Sequence, residues 1–91
     1  MTGKKVGFTS KATKRSTSFD LLIPGKTAQS LHLEKGDVVK MQLRNMEGEE
    51  VELSRKVQGM GDNYRIYIPV SEAEELGLEK NDLIDVFIQK T

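Results

Sequence analysis

The segment that decides the fold reads Phe-Asp-Leu-Leu-Ile-Pro at residues 19–24, and a similar segment, Tyr-Arg-Ile-Tyr-Ile-Pro, follows at residues 64–69. In each segment, apolar side chains alternate along the chain, which is the period of a half-buried strand. Proline ends such a strand because it has no amide hydrogen for a ladder, and its fixed φ suits the first turn of a helix. Each segment therefore predicts a strand that leads directly into a helix.

The two segments belong to a longer internal repeat with an offset of 45 residues. Residues 6–43 aligned on 51–88 without a gap give ten identities in 38 pairs, where ordinary composition predicts about two by chance. The identities are Val6/Val51, Lys11/Lys56, Ile23/Ile68, Pro24/Pro69, Ala28/Ala73, Leu31/Leu76, Leu33/Leu78, Glu34/Glu79, Lys35/Lys80 and Asp37/Asp82. Apolar strand positions also match before and after each helix, so each half predicts the order strand, strand, helix, strand.

Residues after each proline predict a short helix and a pair of turns. Ala28 and Leu31, spaced by three, lie on one face of the first helix, and their copies do so in the second. His32 aligns with Gly77, and Gly36 with Asn81, all residue types that accept a positive φ. The aspartates that open the last strand of each half, Asp37 and Asp82, are expected to accept turn hydrogen bonds.

Length and composition predict one soluble domain, residues 1–91, made of two tandem repeats at about 4–45 and 49–91. Each half alone has too few apolar side chains for a core, so the halves should interlock. No segment has the length and hydropathy of a membrane span or a signal peptide, which favours a cytoplasmic protein. The chain lacks cysteine, and its single histidine sits in a predicted turn, so no metal or catalytic site is expected.

Charge divides unevenly between the halves. Residues 1–45 carry nine basic and three acidic side chains, whereas residues 46–91 carry five basic and eleven acidic ones. Up to Asp20 the chain holds no acidic residue. The first half therefore favours a phosphate-facing surface, with a solvated basic arm as the alternative.

The two Ile-Pro segments, each followed by Leu-x-Leu-Glu-Lys-x-Asp, resemble the core of the SpoVT-AbrB family, which includes the MazE-type antitoxins. That family usually carries one such unit per chain and forms an interleaved swapped-hairpin barrel as a DNA-binding homodimer. The resemblance therefore implies a mainly β, pseudo-twofold swapped-hairpin barrel built from two ββαβ repeats with two short helices. A double-psi β-barrel, which has the same order of elements, is the alternative.

The resemblance also implies which residues contact DNA. Family members use basic side chains on the first hairpin of each unit and an arginine before the Ile-Pro strand core. Two positions depart from this pattern in the first half, because Asp20 stands where that arginine is expected and Ser10 aligns with Arg55. A lopsided DNA surface is therefore expected. Its residues are Lys11, Lys14 and Arg15, with Arg55, Lys56 and Arg65 from the second half, and Lys4 and Lys5 as an added arm.

The primary hypothesis from the sequence is a DNA-binding transcriptional regulator whose partner is duplex DNA, without cofactor or small-molecule substrate. The alternative is a protein-interaction module or antitoxin-like barrel, or a chain that self-associates through its oppositely charged halves. An enzyme is not expected, since no arrangement of nucleophile, base or phosphate-binding glycine loop is present.

Overall fold

The computed structural model describes residues 5–59 and 61–90, and within these ranges the chain forms seven strands and two short helices. The strands are β1 (Lys5–Lys11), β2 (Thr13–Lys14), β3 (Ser18–Ile23), β4 (Val38–Arg44), β5 (Glu50–Lys56), β6 (Tyr64–Pro69) and β7 (Leu83–Lys90). The helices are α1 (Gly25–Ser30) and α2 (Val70–Glu75). The prediction of a mainly β fold with two short helices is confirmed. Across the described ranges, no helix is long and apolar enough to cross a membrane.

Among the described residues the strand pairings are antiparallel and form two sheets, with strand orders β1-β7-β4-β5 and β2-β3-β6. The two sheets are connected at two points. Only Ala12 separates β1 from β2, and Gln58, just after β5, forms a bridge with Arg65 of β6. The paired strands therefore follow one another in a closed circuit, with the core inside it.

The repeat seen in the sequence recurs in the strand register. In the β3–β6 ladder Leu21 pairs with Ile66, and in the β4–β7 ladder Gln42 pairs with Phe87, each pair being 45 residues apart. The first strand of each half pairs with the last strand of the other half, β1 with β7 and β5 with β4. The two halves are thus interleaved within one sheet.

Both strand-to-helix junctions have nearly the same backbone. Pro24 (φ −58°, ψ 143°) and Pro69 (φ −56°, ψ 145°) occupy the N-cap positions, and the helix begins at the next residue. An extended proline suits this position because the missing N–H removes a donor that no ladder or helix would satisfy. The predicted role of the two prolines is confirmed.

The turn predictions are also confirmed. His32 and its copy Gly77 have φ of 53° and 61°, and Gly36 and its copy Asn81 have φ of 94° and 70°. Left-handed turns are therefore kept while the residue changes. In both halves an aspartate Oδ2 accepts a backbone N–H three residues upstream at 2.8 Å, from Glu34 to Asp37 and from Glu79 to Asp82.

The core is aliphatic and draws on both halves. Leu21, Met41, Leu43, Ile66 and Ile88 are among its fully buried members. Burying each such side chain stabilises the fold by about 1.5–3 kcal/mol relative to exposure. The outward positions of the same strands carry the polar residues, so the faces of the two sheets are the surfaces available for a partner.

Candidate nucleic-acid interface

The segment made of β1, Ala12 and β2, with Arg15 directly after it, carries most of the cations predicted in the first half. Its odd-numbered residues from Lys5 to Arg15 are exposed, whereas Val6, Phe8, Ser10 and Ala12 are partly or fully buried. Lys5 and Lys11 lie on the outward side of β1, about 20 Å apart along the strand, and Arg15 follows β2 on the exposed side of the hairpin. Together with Lys14, these residues are here termed the basic strand.

Lys14 lies on the opposite side of the hairpin from Arg15. It is exposed at the rim although its ladder partner, Phe19, is buried in the core. The hairpin closes where the Arg15 N–H donates to the Ser18 carbonyl at 2.7 Å. The two neighbouring cations thus project from both sides of one tight hairpin.

Arg15 and Arg65 meet on a shared carboxylate. Asp20 Oδ2 accepts the Nε–H of Arg15 at 2.5 Å and an Nη1–H of Arg65 at 3.3 Å. Asp20 is only 2% exposed, whereas the side chains of Arg15 and Arg65 are 56% and 30% exposed. The hydrogen bond that Arg15 donates to Asp20, followed by the charge of Asp20, raises the pKa of Arg15 above its usual value. Arg15, Asp20 and Arg65 are here termed the arginine cluster.

Sequence reasoning noted Asp20 as a departure from the family pattern but missed this cluster. The signal was present, because Asp20 and Arg65 are 45 residues apart and occupy equivalent positions in the repeat. The equivalent strands β3 and β6 pair antiparallel about Leu21 and Ile66, so residues next to that pair lie close to their own copies. The same charged residue at this position in both units would place two like charges close together, and they would repel each other. Asp20 and Arg65 have opposite charges and attract each other.

The remaining second-half cations are separated from the basic strand. Arg55 lies on the inward side of β5 and donates to Glu72 of α2 at 2.5 Å. Lys56 lies on the exterior of β5, opposite Val38, in the position equivalent to Lys11 opposite Leu83. Arg55 and Lys56 therefore project to opposite sides of one strand.

The two cations of the predicted amino-terminal arm differ in what can be said of them. Lys5 belongs to β1, donates to Gln42 Oε1 at 2.6 Å, and has its Nζ 5.8 Å from the centroid of the Phe87 ring. Its head is therefore held against the larger sheet. Lys4 lies outside the described residues.

Apolar side chains also reach the surface beside the arginine cluster. Leu22 and its copy Tyr67 are 49% and 39% exposed, on the same face of the smaller sheet as Asp20 and Arg65. A second equivalent pair, Val38 and Leu83, is exposed at the starts of β4 and β7. The outer face of the smaller sheet, with Leu22 and Tyr67, thus combines arginine with apolar area, a composition common in contact surfaces.

A cavity of about 660 Å³ opens beside α1 and the segment that precedes β6. Gly25, His32, Gly61 and Tyr64 are among its lining residues. Gly25 stands where the second half has Val70, whose side chain packs partly against the core. The first half therefore has a residue without a side chain beside this cavity, where the second half has a valine.

Comparisons with known proteins define the fold and nothing finer. No protein-family model matches the chain, and no curated protein matches it. The chain is similar to the solution structure of PHS018 from Pyrococcus horikoshii, with a TM-score of 0.71 and 22% sequence identity. That similarity covers 99% of this chain and 92% of the other.

Proposed function

We propose that this protein is a DNA-binding transcriptional regulator built as an interleaved barrel of the swapped-hairpin type, in which one chain supplies both units of a dimer. The closed circuit of paired strands and the offset of 45 residues in two central ladders support this architecture. Each half places its first strand beside the last strand of the other half. Such reciprocal pairing is the arrangement expected of two interleaved units.

The observation that carries the proposed function is the basic strand. Lys5, Lys11 and Arg15 are exposed on its exterior and Lys14 projects from the rim of the β2–β3 hairpin, within a segment that has no acidic residue before Asp20. Lysine and arginine heads that neutralise phosphates release condensed counterions, which drives binding to duplex DNA without regard to sequence. The exposed guanidinium of Arg15 supplies the fork geometry that phosphate oxygens and guanine edges accept.

A mobility shift with random-sequence duplex DNA, run from low to moderate salt, tests this function. If about five cations contact phosphate, the logarithm of the association constant falls against log salt with a slope of about −4 to −5. The whole chain has no net charge, so binding at low salt would reflect the local surface rather than a global attraction. Absence of a shift at low salt would contradict the proposal.

The regulatory part of the proposal requires sequence preference, which a second experiment measures. Repeated selection from a random duplex library should enrich a motif, since the arginine heads can reach base edges. A library that stays unenriched while the protein still shifts DNA would reduce the function to non-specific binding.

A second candidate function, a protein-interaction module, is favoured by the exposed apolar residues. Leu22 and Tyr67 adjoin each other on one sheet face, and Val38 and Leu83 repeat this exposure elsewhere. Self-association through the oppositely charged halves would weaken as salt rises. Light scattering across a salt series tests it, and a constant monomer mass would exclude self-association through charge.

A further inference from the structure

We propose that Asp20 is a positioning residue that holds Arg15 and Arg65 as a two-arginine clamp for a single phosphate group of duplex DNA. This inference rests on the proposed function and adds to it the contact that the arginine cluster makes. It concerns the point where the two halves meet, since Arg15 belongs to the first half and Arg65 to the second.

The donors that do not contact Asp20 Oδ2 are those that a phosphate needs. Arg15 donates its Nε–H to Asp20. Its two terminal nitrogens remain as donors for a ligand, on a side chain that is 56% exposed. Arg65 donates one Nη1–H to Asp20. Its second terminal nitrogen remains as a donor for a ligand, on a side chain that is 30% exposed. A guanidinium has five N–H donors in a rigid plane, so one edge can hold the carboxylate while another faces a ligand.

Burial places the carboxylate behind the two guanidinium groups. Asp20 is 2% exposed, so a ligand that approaches from solvent meets the arginines first. The carboxylate also screens the repulsion between two neighbouring cations, which would otherwise separate them. The cluster therefore keeps one net positive charge while fixing two heads that surface arginines would leave mobile.

Fixing the heads in advance favours binding through entropy. Immobilising a long side chain at an interface costs free energy that each contact must offset. Arginines already held by Asp20 have lost much of this freedom before DNA arrives. The clamp thus binds phosphate more tightly than two arginines that no carboxylate holds in place.

The substitution Asp20→Asn separates positioning from simple charge, because the two predict changes of opposite sign. It removes the buried negative charge behind the two arginines, so Coulomb attraction alone would make DNA binding tighter. Loss of positioning predicts binding about 10-fold weaker, from two side chains that must be ordered on binding. Asparagine keeps the size of the side chain, but its amide oxygen holds the two guanidinium groups less strongly than a carboxylate does.

Asp85→Asn is the matched control for the loss of charge. Asp85 lies on the larger sheet and accepts the Thr9 hydroxyl at 2.8 Å, so it holds no arginine of the cluster. Its substitution should leave binding unchanged or slightly tighter. The comparison of Asp20→Asn with Asp85→Asn then isolates the positioning effect from the change in net charge.

Charge-conserving substitutions give a second test that leaves Asp20 in place. Arg15→Lys and Arg65→Lys keep the charge but remove the planar fork, so each should bind DNA several-fold more weakly. Arg44→Lys is their control, because Arg44 pairs with Glu50 at 2.6 Å on the other sheet. Circular dichroism and urea unfolding of each variant establish that it is folded before binding is measured.

The outcomes distinguish this inference from the function on which it rests. If the unmodified protein fails to shift DNA at low salt, the proposed function and the clamp are both overturned. If it binds and Asp20→Asn binds equally well or better, the clamp is overturned while the function stands. If Asp20→Asn does not fold, the lysine variants decide, and binding equal to Arg44→Lys overturns the clamp.

Discussion

The segment made of β1 and β2 has its copy in β5 and the residues that follow β5. The two segments occupy equivalent positions in the two halves, but they present different charges to solvent. Exterior Lys5 becomes Glu50 in the copy, and Gly7 becomes Glu52. Lys11 keeps its charge as Lys56. Inward positions mostly stay apolar, since both strands cover the same core. The constraint of the core thus preserves the inward face, while the exterior diverges.

The difference shows what joining two units in one chain permits. In a dimer of identical chains, a residue next to the symmetry axis meets its own copy. Here the corresponding positions hold Asp20 and Arg65, which form an ion pair at 3.3 Å. A single chain with two units can therefore place unlike charges at its centre and confine its basic surface to one side.

The largest expected effect tests the shared inward face. Leu21→Ala and Ile66→Ala each remove a fully buried side chain from the same cross-strand pair. Each should lower the free energy of unfolding by about 2–5 kcal/mol, because a cavity remains at a site that both halves enclose. Urea denaturation measures both. A large cost at one position and almost none at the other would mean that the halves do not share one core.

The second prediction tests the exterior difference through Lys11 and Lys14 of the basic strand. Replacing both with alanine should make the slope of log affinity against log salt less negative by about two. With equal binding of the two proteins at ~1 M salt as the reference, the variant should bind DNA about 60-fold more weakly at ~0.1 M salt. Fluorescence anisotropy with a labelled duplex measures both quantities.

Lys26→Ala with Lys40→Ala is the control for this pair of lysines. It makes the same change in net charge at α1 and at the outer face of β4. The control should keep nearly the full slope. An equal loss of slope in both double variants would show that the charge of the whole chain, rather than the basic strand, drives binding.

Much of the fold follows from the sequence because it depends on local rules. Pro24 and Pro69 mark the junctions through their missing N–H, and His32 and Asn81 occupy left-handed turns that glycine fills in the other half. The arginine cluster did not follow from local patterns, because Arg15 and Arg65 are far apart in the sequence. The β3–β6 ladder brings Arg65 to the Asp20 carboxylate, and the β2–β3 hairpin brings Arg15 there. The inward position of Arg55 follows from strand alternation, yet its pairing with Glu72 depends on the packing of α2.

A third prediction concerns Gly25, which stands where the other half has Val70. A Cβ built at Gly25 meets no atom within 4 Å, so alanine fits without strain. Gly25→Ala should raise the free energy of unfolding by about 0.4–1 kcal/mol, because the unfolded chain loses conformational freedom. Thermal unfolding measures the change. A lower stability would mean that α1 needs glycine at its first residue for a reason other than space.

The smallest effect is a pH dependence at Asp37. The backbone N–H of Glu34, with a further contribution from Lys90, lowers the pKa of Asp37. A carboxylate whose pKa is depressed on folding stabilises the fold above its unfolded value of about 3.9, and this contribution is lost as the pH falls through the folded value. Asp37→Asn should therefore flatten the decline of stability in acid. Urea unfolding between neutral pH and pH ~2.5 measures it, and an unchanged decline would contradict this role.

In the proposed complex, the exterior of β1 and β2 and the arginine cluster face DNA, while the copied strand β5 does not. Titration of the isotope-labelled protein with a short duplex, followed by backbone and arginine side-chain NMR shifts, tests it most directly. The shifts should concentrate at residues 5–20 and at Arg65, with little change from Glu50 to Ser54. Shifts centred on Glu50 to Ser54, or spread evenly over both strands, would contradict it.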